Sequence, residues 1–496
     1  MPISTAMSEH LSEIDIRHQK RKDLEAEGIN TFAYSYSKSH SIHSVLAANA
    51  NLEAETNSAE TYHLAGRLIA KRGHGKAIFG NVKDESGVIQ FYANIDALGE
   101  TDFNRLMHLD IGDIIGIEGP AFITKRGELS IKLQKYTFLT KSHHPLPEKF
   151  HGLTDKETRY RQRYVDLIAN SEVMDVFKTR SQVIFGIRQF LVNQGFMEVE
   201  TPVLQPIYGG ASARPFKTHH NDLGQDLFLR IALELYLKRL IVGGFEKIFE
   251  IGRVFRNEGV SFKHNPEFTM IELYQAYADY TDMMRLTENL LSELVKQKTG
   301  SYILNFQGLE LNFEAPFARY TMAEALQKWG GIEGPVTVEA MIKRGKELGL
   351  DVSEKTPRGE LINTLYDKAV EPQLIQPTFI TDYPWETSPL AKRHRDNPDL
   401  VERFELIVAK MELANAFSEL NDPVDQRARF EDQIKAKEAG DDEAHEMDED
   451  FVHALEYGMP PTGGLGIGID RVVMLLTDQP SIRDVLFFPH MKDVVS

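Results

Sequence analysis

Residues Phe249–Tyr280 have the sequence FEIGRVFRNEGVSFKHNPEFTMIELYQAYADY, the most informative pattern in the chain. It predicts two strands, Lys247–Arg256 and Phe268–Tyr277, joined by a polar loop of Asn, Gly, Ser and Pro. Successive side chains of a strand point to opposite faces, so Glu250 and Arg256 share a face of the first strand. The second strand divides in the same way, with Phe268, Met270, Glu272 and Tyr274 on one face and Thr269, Ile271, Leu273 and Tyr277 on the other. The aliphatic face predicts a core side, and the opposite face predicts either a solvated surface or a binding site.

Length and composition bound the class of protein. A chain of 496 residues, 42% hydrophobic and 26% charged, is typical of a globular protein of two or three domains. The chain starts without an apolar signal-type segment and has no run of 18 apolar residues, so we expect a cytoplasmic protein without a membrane partner. The absence of cysteine excludes disulfides, thiolate catalysis and cysteine-bound metals.

The formal net charge of −18 argues against general attraction to nucleic acid. Any RNA-binding function must therefore depend on local features of the surface.

Three regions follow from the pattern along the chain. Residues 1–60 predict an N-terminal extension with one partly basic helix that ends near Gly28. Residues 61–146 carry short alternating strands separated by glycine turns. Such strands in under 100 residues predict a small Greek-key barrel of the oligonucleotide-binding type. Residues 147–496 predict a mixed helix and strand domain, with a helical insertion at about 322–374 and an acidic run near 441–450.

Aromatic side chains of the barrel are candidates for stacking on unpaired bases, which is how such barrels hold single strands. The candidates are Phe79, Phe91 and Tyr92. Packing in the barrel core is the alternative for each of them, and the fold alone does not prove RNA binding.

Several segments of the third region frame the hairpin. Residues 171–194 predict a helix, FMEVETPVL a strand interrupted at Pro202, and LFLRIALELYLKRL a strand that carries Glu234 into a helix. The run GGLGIGIDRVVMLL predicts a strand and a helix, but its glycines do not match G-x-G-x-x-G. The spacing of Glu405, Glu412 and Glu419 fits either one acidic helix face or two strands with a turn near Ala409–Lys410.

Three of these segments, in this order, resemble the class II aminoacyl-tRNA synthetases. FMEVETPVL is similar to motif 1, Phe249–Tyr280 to motif 2 and GLGIGIDRVVML to motif 3, and RNEG followed by HNPEFTMIELYQAYADY is similar to the lysine-specific branch of subclass IIb in its bacterial form. The resemblance implies an α+β protein: an N-terminal OB-fold barrel that binds the anticodon, then a catalytic domain with an antiparallel sheet of six to seven strands flanked by helices. It also implies a homodimer through motif 1, and it favours the two-strand alternative for Glu405 and Glu412.

The resemblance implies activation of L-lysine by ATP and transfer to tRNA(Lys), without a protein nucleophile. Arg256 and Arg471 would be catalytic, with Arg256 bridging the lysine carboxylate and the α-phosphate. Phe268 and Arg471 would enclose adenine, Glu258 would bind its amino group and His264 would contact the γ-phosphate. The family often has arginine before that histidine, whereas Lys263 stands here, which leaves a point charge and no bidentate contact.

The remaining site residues follow from the same resemblance. Glu405 and Glu412 would hold Mg²⁺ against the ATP phosphates. The lysine ligands would be Gly210 and Glu234 for the α-amino group, Asn415 with Arg256 for the carboxylate, and Glu272, Tyr274 and Glu419 for the ε-ammonium. The central anticodon uridine would contact Phe79, Gln90 and Glu118.

Three alternatives share parts of this pattern. Aspartyl- and asparaginyl-tRNA synthetases have the same architecture, but two pocket carboxylates with a phenol suit a long cation better than an acid or an amide. A lysyl-transferase paralogue that modifies a translation factor would lack the barrel. A non-enzymatic RNA-binding module has no need for Arg256, Glu405, Glu412 and Arg471 together.

Overall fold

The structure, a computed structural model, describes residues 12–147, 153–438 and 446–493. The described residues form two compact units, one drawn from residues 1–159 and 164–174 and the other from residues 160–163 and 175–496. Part of the predicted acidic run near 441–450 lies outside the described residues. Within the described ranges, no helix is long and apolar enough to cross a membrane.

The elements up to residue 170 belong mainly to the barrel. They are α1 (Glu13–Ala26), α2 (Ile42–Ala48), β1 (Asn57–His74), β2 (Ala77–Asp84), β3 (Gly87–Asn94), α3 (Ile95–Leu98), α4 (Glu100–His108), β4 (Ile114–Ile123), β5 (Leu129–Lys132), β6 (Lys135–Thr140), α5 (Lys156–Arg161) and α6 (Arg163–Ala169).

The elements from residue 171 onward build the second unit. Its helices are α7 (Ser171–Asn193), α8 (Glu234–Val242), α9 (Tyr280–Thr299), α10 (Met322–Lys328), α11 (Val338–Glu347), α12 (Arg358–Leu365), α13 (Pro423–Glu438), α14 (Glu449–Glu456) and α15 (Ile469–Leu476). Its strands are β7 (Met197–Glu198), β8 (Leu204–Gln205), β9 (Lys217–His220), β10 (Gln225–Leu229), β11 (Lys247–Phe255), β12 (Glu267–Ala276), β13 (Ile303–Phe306), β14 (Leu309–Asn312), β15 (Ala318–Thr321), β16 (Thr378–Pro384), β17 (Leu400–Val408), β18 (Met411–Ser418) and β19 (Thr462–Gly468).

The predicted barrel is confirmed. In the described part of the chain, six strands pair in the order β1-β2-β3-β5-β4-β6, and β1 also pairs with β4 to close the sheet. Neighbouring side chains of β3 point to opposite sides, so Phe91 is fully buried in the barrel core while Tyr92 is partly exposed. The expectation that Phe91 could stack on a base is therefore wrong.

The second unit is organised by a sheet of eight strands among the described residues, in the order β15-β16-β17-β18-β19-β12-β11-β7. The six strands from β16 to β11 pair in antiparallel fashion, and the short strands β15 and β7 add a parallel pair at each edge. The resemblance implied six to seven strands; the additional strand is one of these short edges. Helices α7, α9 and α15 share a hydrophobic cluster with the central strands.

The hairpin has the predicted architecture except at Tyr277, which follows the end of β12, has a φ of 59° and is 73% exposed, so it does not belong to the core face. In the β11–β12 register Glu250 lies opposite Glu272, and Ile271 and Leu273 are fully buried in the main core. The opposite face is not a solvated surface, because Glu272 and Tyr274 are only 5% and 3% exposed. The hairpin therefore separates a hydrophobic core from a polar interior.

Glu234 differs from its expectation. It is the first residue of α8 and does not lie in a strand, because the extended segment ends at Leu229. The change moves the carboxylate to a helix start, where the positive end of the helix dipole favours a negative group.

The alternative of two strands for Glu405 and Glu412 is confirmed. Strands β17 and β18 are joined by Ala409 and Lys410, whose φ angles are 49° and 65°. Two consecutive residues with positive φ are typical of a type I′ hairpin turn. A side chain at such positions costs conformational energy that glycine avoids.

This turn gives a stability prediction. We expect Lys410→Gly to raise the free energy of unfolding by about 0.5–1 kcal/mol, because Lys410 is exposed and its left-handed backbone favours glycine. Urea unfolding followed by tryptophan fluorescence measures it, since both tryptophans, Trp329 and Trp385, belong to the second unit.

The matched control is Lys343→Gly, an exposed position inside α11. That substitution should lower the free energy of unfolding by about 0.5–1 kcal/mol, because glycine is unfavourable within a helix. A loss of stability in both variants would contradict the turn assignment.

Candidate active site and barrel surface

The polar interior of the second unit contains a cavity of about 430 Å³. All thirteen residues predicted for the catalytic site of this unit line it. They are Gly210, Glu234, Arg256, Glu258, His264, Phe268, Glu272, Tyr274, Glu405, Glu412, Asn415, Glu419 and Arg471. Residues separated by up to 261 positions in the sequence therefore line one cavity: six lie on β12, β17 and β18, two on α8 and α15, and five in the segments between named elements.

One end of the cavity is acidic and buried. Glu234, Glu272 and Glu419 are 5%, 5% and 1% exposed. Glu272 accepts hydrogen bonds from the backbone N–H of Leu233 (3.0 Å) and the hydroxyl of Tyr274 (3.1 Å). The carboxylate of Glu272 is thus oriented from two sides before any ligand enters.

Burial changes the protonation of these groups, because a charged carboxylate loses hydration in the interior. Burial, reinforced by the charge of Glu234, raises the pKa of Glu272 to about 7. Burial also raises the pKa of Glu419 well above its ordinary value, opposed by the Lys238 ammonium and assisted by Glu234. This end of the cavity therefore contains more carboxyl groups than its own cations can neutralise, and the raised pKa values favour proton binding by these groups.

Two glycines make room for this arrangement. Gly210 has a φ of +90°, and a Cβ atom there would lie 2.8 Å from the Cβ of Ala232 and 3.1 Å from that of Glu234. At Gly464 in β19, a Cβ atom would overlap the Oε1 atom of Glu419 and lie 2.7 Å from the ring of Tyr274. A side chain at position 464 would therefore displace the carboxylate or the phenol.

The other end of the cavity is cationic and more open. The guanidinium carbon of Arg256 lies 5.2 Å from the centroid of the Phe268 ring, and its Nε donates to the carbonyl of Ile231 at 3.3 Å. Arg471 donates to the backbone carbonyl of Glu412 at 2.6 Å and approaches His264 Nε2 at 3.4 Å. Two planar guanidinium groups beside an aromatic ring can bind a flat base and its phosphates.

His264 and Lys263 belong to the loop between β11 and β12. Burial and the neighbouring cations Arg471, Lys263 and Arg256 lower the pKa of His264, so the ring is neutral near pH 7. Lys263 donates to the Lys410 carbonyl at 2.9 Å and to Glu371 Oε1 at 3.2 Å. The Lys263 ammonium therefore connects the β11–β12 loop to the β17–β18 turn by a hydrogen bond.

Glu405 and Glu412 lie on the neighbouring strands β17 and β18. Burial, followed by the charge of Glu412, raises the pKa of Glu405 to about 7. Among the described residues, no group of three or more acidic or histidine side chains is suited to a metal. Two carboxylates fit Mg²⁺, which usually takes one or two protein oxygens together with substrate phosphates and water.

Two charged residues of the site were missed from the sequence. Arg403 donates to Asn415 Oδ1 at 3.1 Å and to Glu405 Oε1 at 2.6 Å, so it connects the two ends of the cavity. It shares a strand face with Glu405, and this parity could have identified it. Lys238 pairs with Glu234 and Glu419, and its spacing of four residues from Glu234 on a helix was a similar signal.

The barrel presents a separate aromatic face. The ring centroids of Phe79 and Tyr92 lie 5.1 Å apart. The centroid of the Tyr92 ring lies 6.0 Å from that of Phe122, a residue that is not among the candidates predicted from the sequence. The Gln90 amide donates to Glu128 at 2.8 Å, and Ser130 donates to Gln90 Oε1 at 3.1 Å. Glu118 Oε1 lies 3.5 Å from the ammonium of Lys135.

Family models match both units. The model described as tRNA synthetases class II (D, K and N) matches residues 155–492, and the model described as OB-fold nucleic acid binding domain matches residues 62–139. The first of these alone covers more than half of the chain.

Relatives match the chain over nearly its full length. It is 52% identical to the lysine–tRNA ligase of Carboxydothermus hydrogenoformans over 484 residues, 97% of this chain and 98% of the relative. It is 53% identical to that of Moorella thermoacetica over 479 residues, 96% and 97% of the two chains. It is 52% identical to that of Halalkalibacterium halodurans over 493 residues, 98% of each chain. The chain therefore belongs to the class II aminoacyl-tRNA synthetases, and within them to the lysine–tRNA ligase family.

Proposed function

We propose that the chain activates L-lysine with ATP to form lysyl-adenylate and transfers the lysyl group to the 3′ end of tRNA(Lys). Pyrophosphate leaves in the first step and AMP in the second. The observation that supports this function best is the acidic end of the cavity, where three buried carboxylates, Glu234, Glu272 and Glu419, lie beside Arg256. A ligand with two ammonium groups and one carboxylate complements these charges.

The same charges distinguish the alternatives. An aspartate side chain would add a carboxylate to an interior that already contains three, and an asparagine amide would not supply the positive charge of an ε-ammonium. A transferase without a barrel does not fit a chain that matches an OB-fold model over residues 62–139. A binding module alone does not explain a cavity with both an anionic and a cationic end.

In the first step, an oxygen of the lysine carboxylate attacks the α-phosphorus of ATP, and the bond to pyrophosphate breaks. Arg256 neutralises both the carboxylate and the α-phosphate, so the two anions can approach each other. Phe268 and Arg471 enclose the adenine, Glu258 accepts a hydrogen bond from its amino group, and His264 contacts the γ-phosphate. Catalysis consists of positioning and charge neutralisation.

At the lysine end, Gly210 and Glu234 hold the α-amino group, and Asn415 together with Arg256 holds the carboxylate. Glu272, Tyr274 and Glu419 surround the ε-ammonium. Mg²⁺ held by Glu405 and Glu412 supplies positive charge to the phosphates when it is bound.

The barrel binds the anticodon in this proposal, with Phe79 stacking on the central uridine near Gln90 and Glu118. The active form is a homodimer in the cytoplasm. Exposed apolar side chains on and after α7 support the dimer, namely Phe185 (64% exposed), Val192 (56%), Met197 (44%) and Leu204 (46%).

Amino-acid-dependent exchange of pyrophosphate with ATP tests the function. We expect L-lysine with Mg²⁺ to support exchange and the other nineteen amino acids to support little. Only lysine carries an ammonium group at the end of a long side chain, in addition to its α-ammonium group. Exchange driven by aspartate or asparagine and not by lysine would contradict the proposal.

Glu419→Gln is the discriminating variant in this assay. It keeps the shape of the side chain and removes one partner of a buried charge pair, so kcat/KM for lysine should fall by roughly 10²–10³-fold. The KM for ATP should change little, since Glu405 and Glu412 remain. A loss of ATP affinity instead would place Glu419 at the phosphate end.

A substitution in the barrel tests whether tRNA binding can be impaired without an effect on lysine activation. Phe79→Ala removes a stacking platform, so the KM for tRNA should rise about 5- to 150-fold while pyrophosphate exchange stays unchanged. Phe79→Tyr keeps a ring and should retain the wild-type KM for tRNA. Equal damage to exchange and to tRNA charging would show that Phe79 is only a folding residue.

A further inference from the structure

Lys238 is a buried cation that the proposed reaction does not use. Its side chain is fully buried on α8, and its ammonium pairs with Glu234 in the same helix and with Glu419 after the end of β18. The rings of Phe417 and Phe451 lie 5.6 Å and 6.0 Å from the Nζ atom. Lys238 is not one of the residues that line the cavity, so it acts from behind the cavity wall.

The substrate would add counter-charges to this region. Glu234 and Glu419 share one resident ammonium, and Glu272 is a third buried carboxylate of the same end of the cavity. The α- and ε-ammonium groups of lysine would bring the number of cations to three. The resident ammonium lies between the two carboxylates that the proposed function gives to the two different ends of the substrate.

We propose that Lys238 is a positioning residue for the amino acid: its ammonium opposes the effect of burial by favouring the ionised forms of Glu234 and Glu419, and it holds both carboxylates in place for the two ammonium groups of lysine. The inference depends on the proposed function, because it assumes lysine as the substrate. It adds a specificity-determining residue that does not touch the substrate.

The surrounding charges support an ionised Lys238. Burial lowers the pKa of the ammonium, but Glu234 and Glu419 outweigh this and raise the pKa above its ordinary value. The other charged or titratable groups that act on this pair of carboxylates are Glu272, Tyr274 and Arg403. Tyr274 is neutral because burial raises its pKa well above the ordinary value. The positive charge of Arg403 acts on Glu234 electrostatically and lowers its pKa.

A contribution to folding stability does not by itself explain the buried ion pairs of Lys238. A buried ion pair is often no more stabilising than hydrophobic side chains of the same volume, and Lys238 is already surrounded by two aromatic rings. Methionine could therefore fill the space. What methionine could not supply is the positive charge that favours the ionised form of the two glutamates.

The test is the pH dependence of kcat/KM for L-lysine in pyrophosphate exchange, compared between wild type and Lys238→Met. Without the ammonium, the pKa values of Glu234 and Glu419 rise, and a protonated carboxyl group cannot pair with a substrate ammonium. We expect kcat/KM at pH 7 to fall about 100-fold or more. The acid limb of the profile should move to higher pH by about one unit or more, so that the deficit shrinks as the pH rises.

Two further variants control the experiment. Lys141→Met removes another buried lysine, 1% exposed and paired with Asp110 and Asp113 in the barrel, and should leave the lysine profile unchanged. Lys238→Gln keeps a hydrogen-bond donor without the charge and should shift the profile as Lys238→Met does. The KM for ATP should stay within about twofold in both Lys238 variants.

The outcomes separate this inference from the function on which it depends. If the wild type does not exchange pyrophosphate with lysine, the proposed function is wrong and this inference falls with it. If the wild type does and the Lys238 variants keep its pH profile, with or without a uniform loss of activity, only the inference is wrong. Loss of the folded state in both variants would make Lys238 a folding residue and would also overturn the inference.

Discussion

The site depends on one electrostatic constraint, the burial of three carboxylates, two of which share a single resident ammonium. Glu234, Glu272 and Glu419 come from a helix start, a strand and a strand end, and each loses hydration on folding. Such charges are tolerated inside a protein only when counter-charges or protons accompany them. Lys238 supplies one counter-charge, and protons bound at raised pKa values supply the rest until a cationic ligand replaces them.

The sheet makes this constraint possible. Antiparallel pairing of β12, β19, β18 and β17 places one face of these strands against the main core and residues of the other face in the cavity lining. Gly464 and Gly466 in β19 carry no side chains into this space, so Glu419, Tyr274 and Glu272 can meet above the strand. The small residues that did not match a dinucleotide-binding motif thus have a packing role in the site.

Local pattern predicted much of the fold. Strand alternation predicted the hairpin and its two faces, and the barrel followed from short strands with glycine turns. The same alternation shows that Phe91 and Tyr92 cannot both face outward, so the error at Phe91 was avoidable from the sequence. At Glu405 and Glu412 the spacing of seven fits a helix and a hairpin equally, and only the positive φ angles of Ala409 and Lys410 resolve it.

Long-range contacts were beyond local pattern. Lys238 and Glu419 are 181 positions apart, and no periodicity joins a helix residue to the end of a distant strand. Arg403 could have been found by parity with Glu405, but its hydrogen bond to Asn415 needed the β17–β18 register. The apolar neighbours of Glu234 fit both a strand and a helix, and in the folded protein tertiary packing favours the helix.

Proton release on binding of L-lysine would show whether the buried carboxyl groups exchange bound protons for the ammonium groups of the substrate. Calorimetric titrations at pH 7 in two buffers of different ionisation enthalpy give the number of protons released per site. We expect release of at least about half a proton, because Glu272 with a pKa of about 7 is half protonated in the free enzyme and must ionise to pair with an ammonium. Binding of lysine with no proton release, or with proton uptake, would contradict the ionisation of buried carboxyl groups on lysine binding.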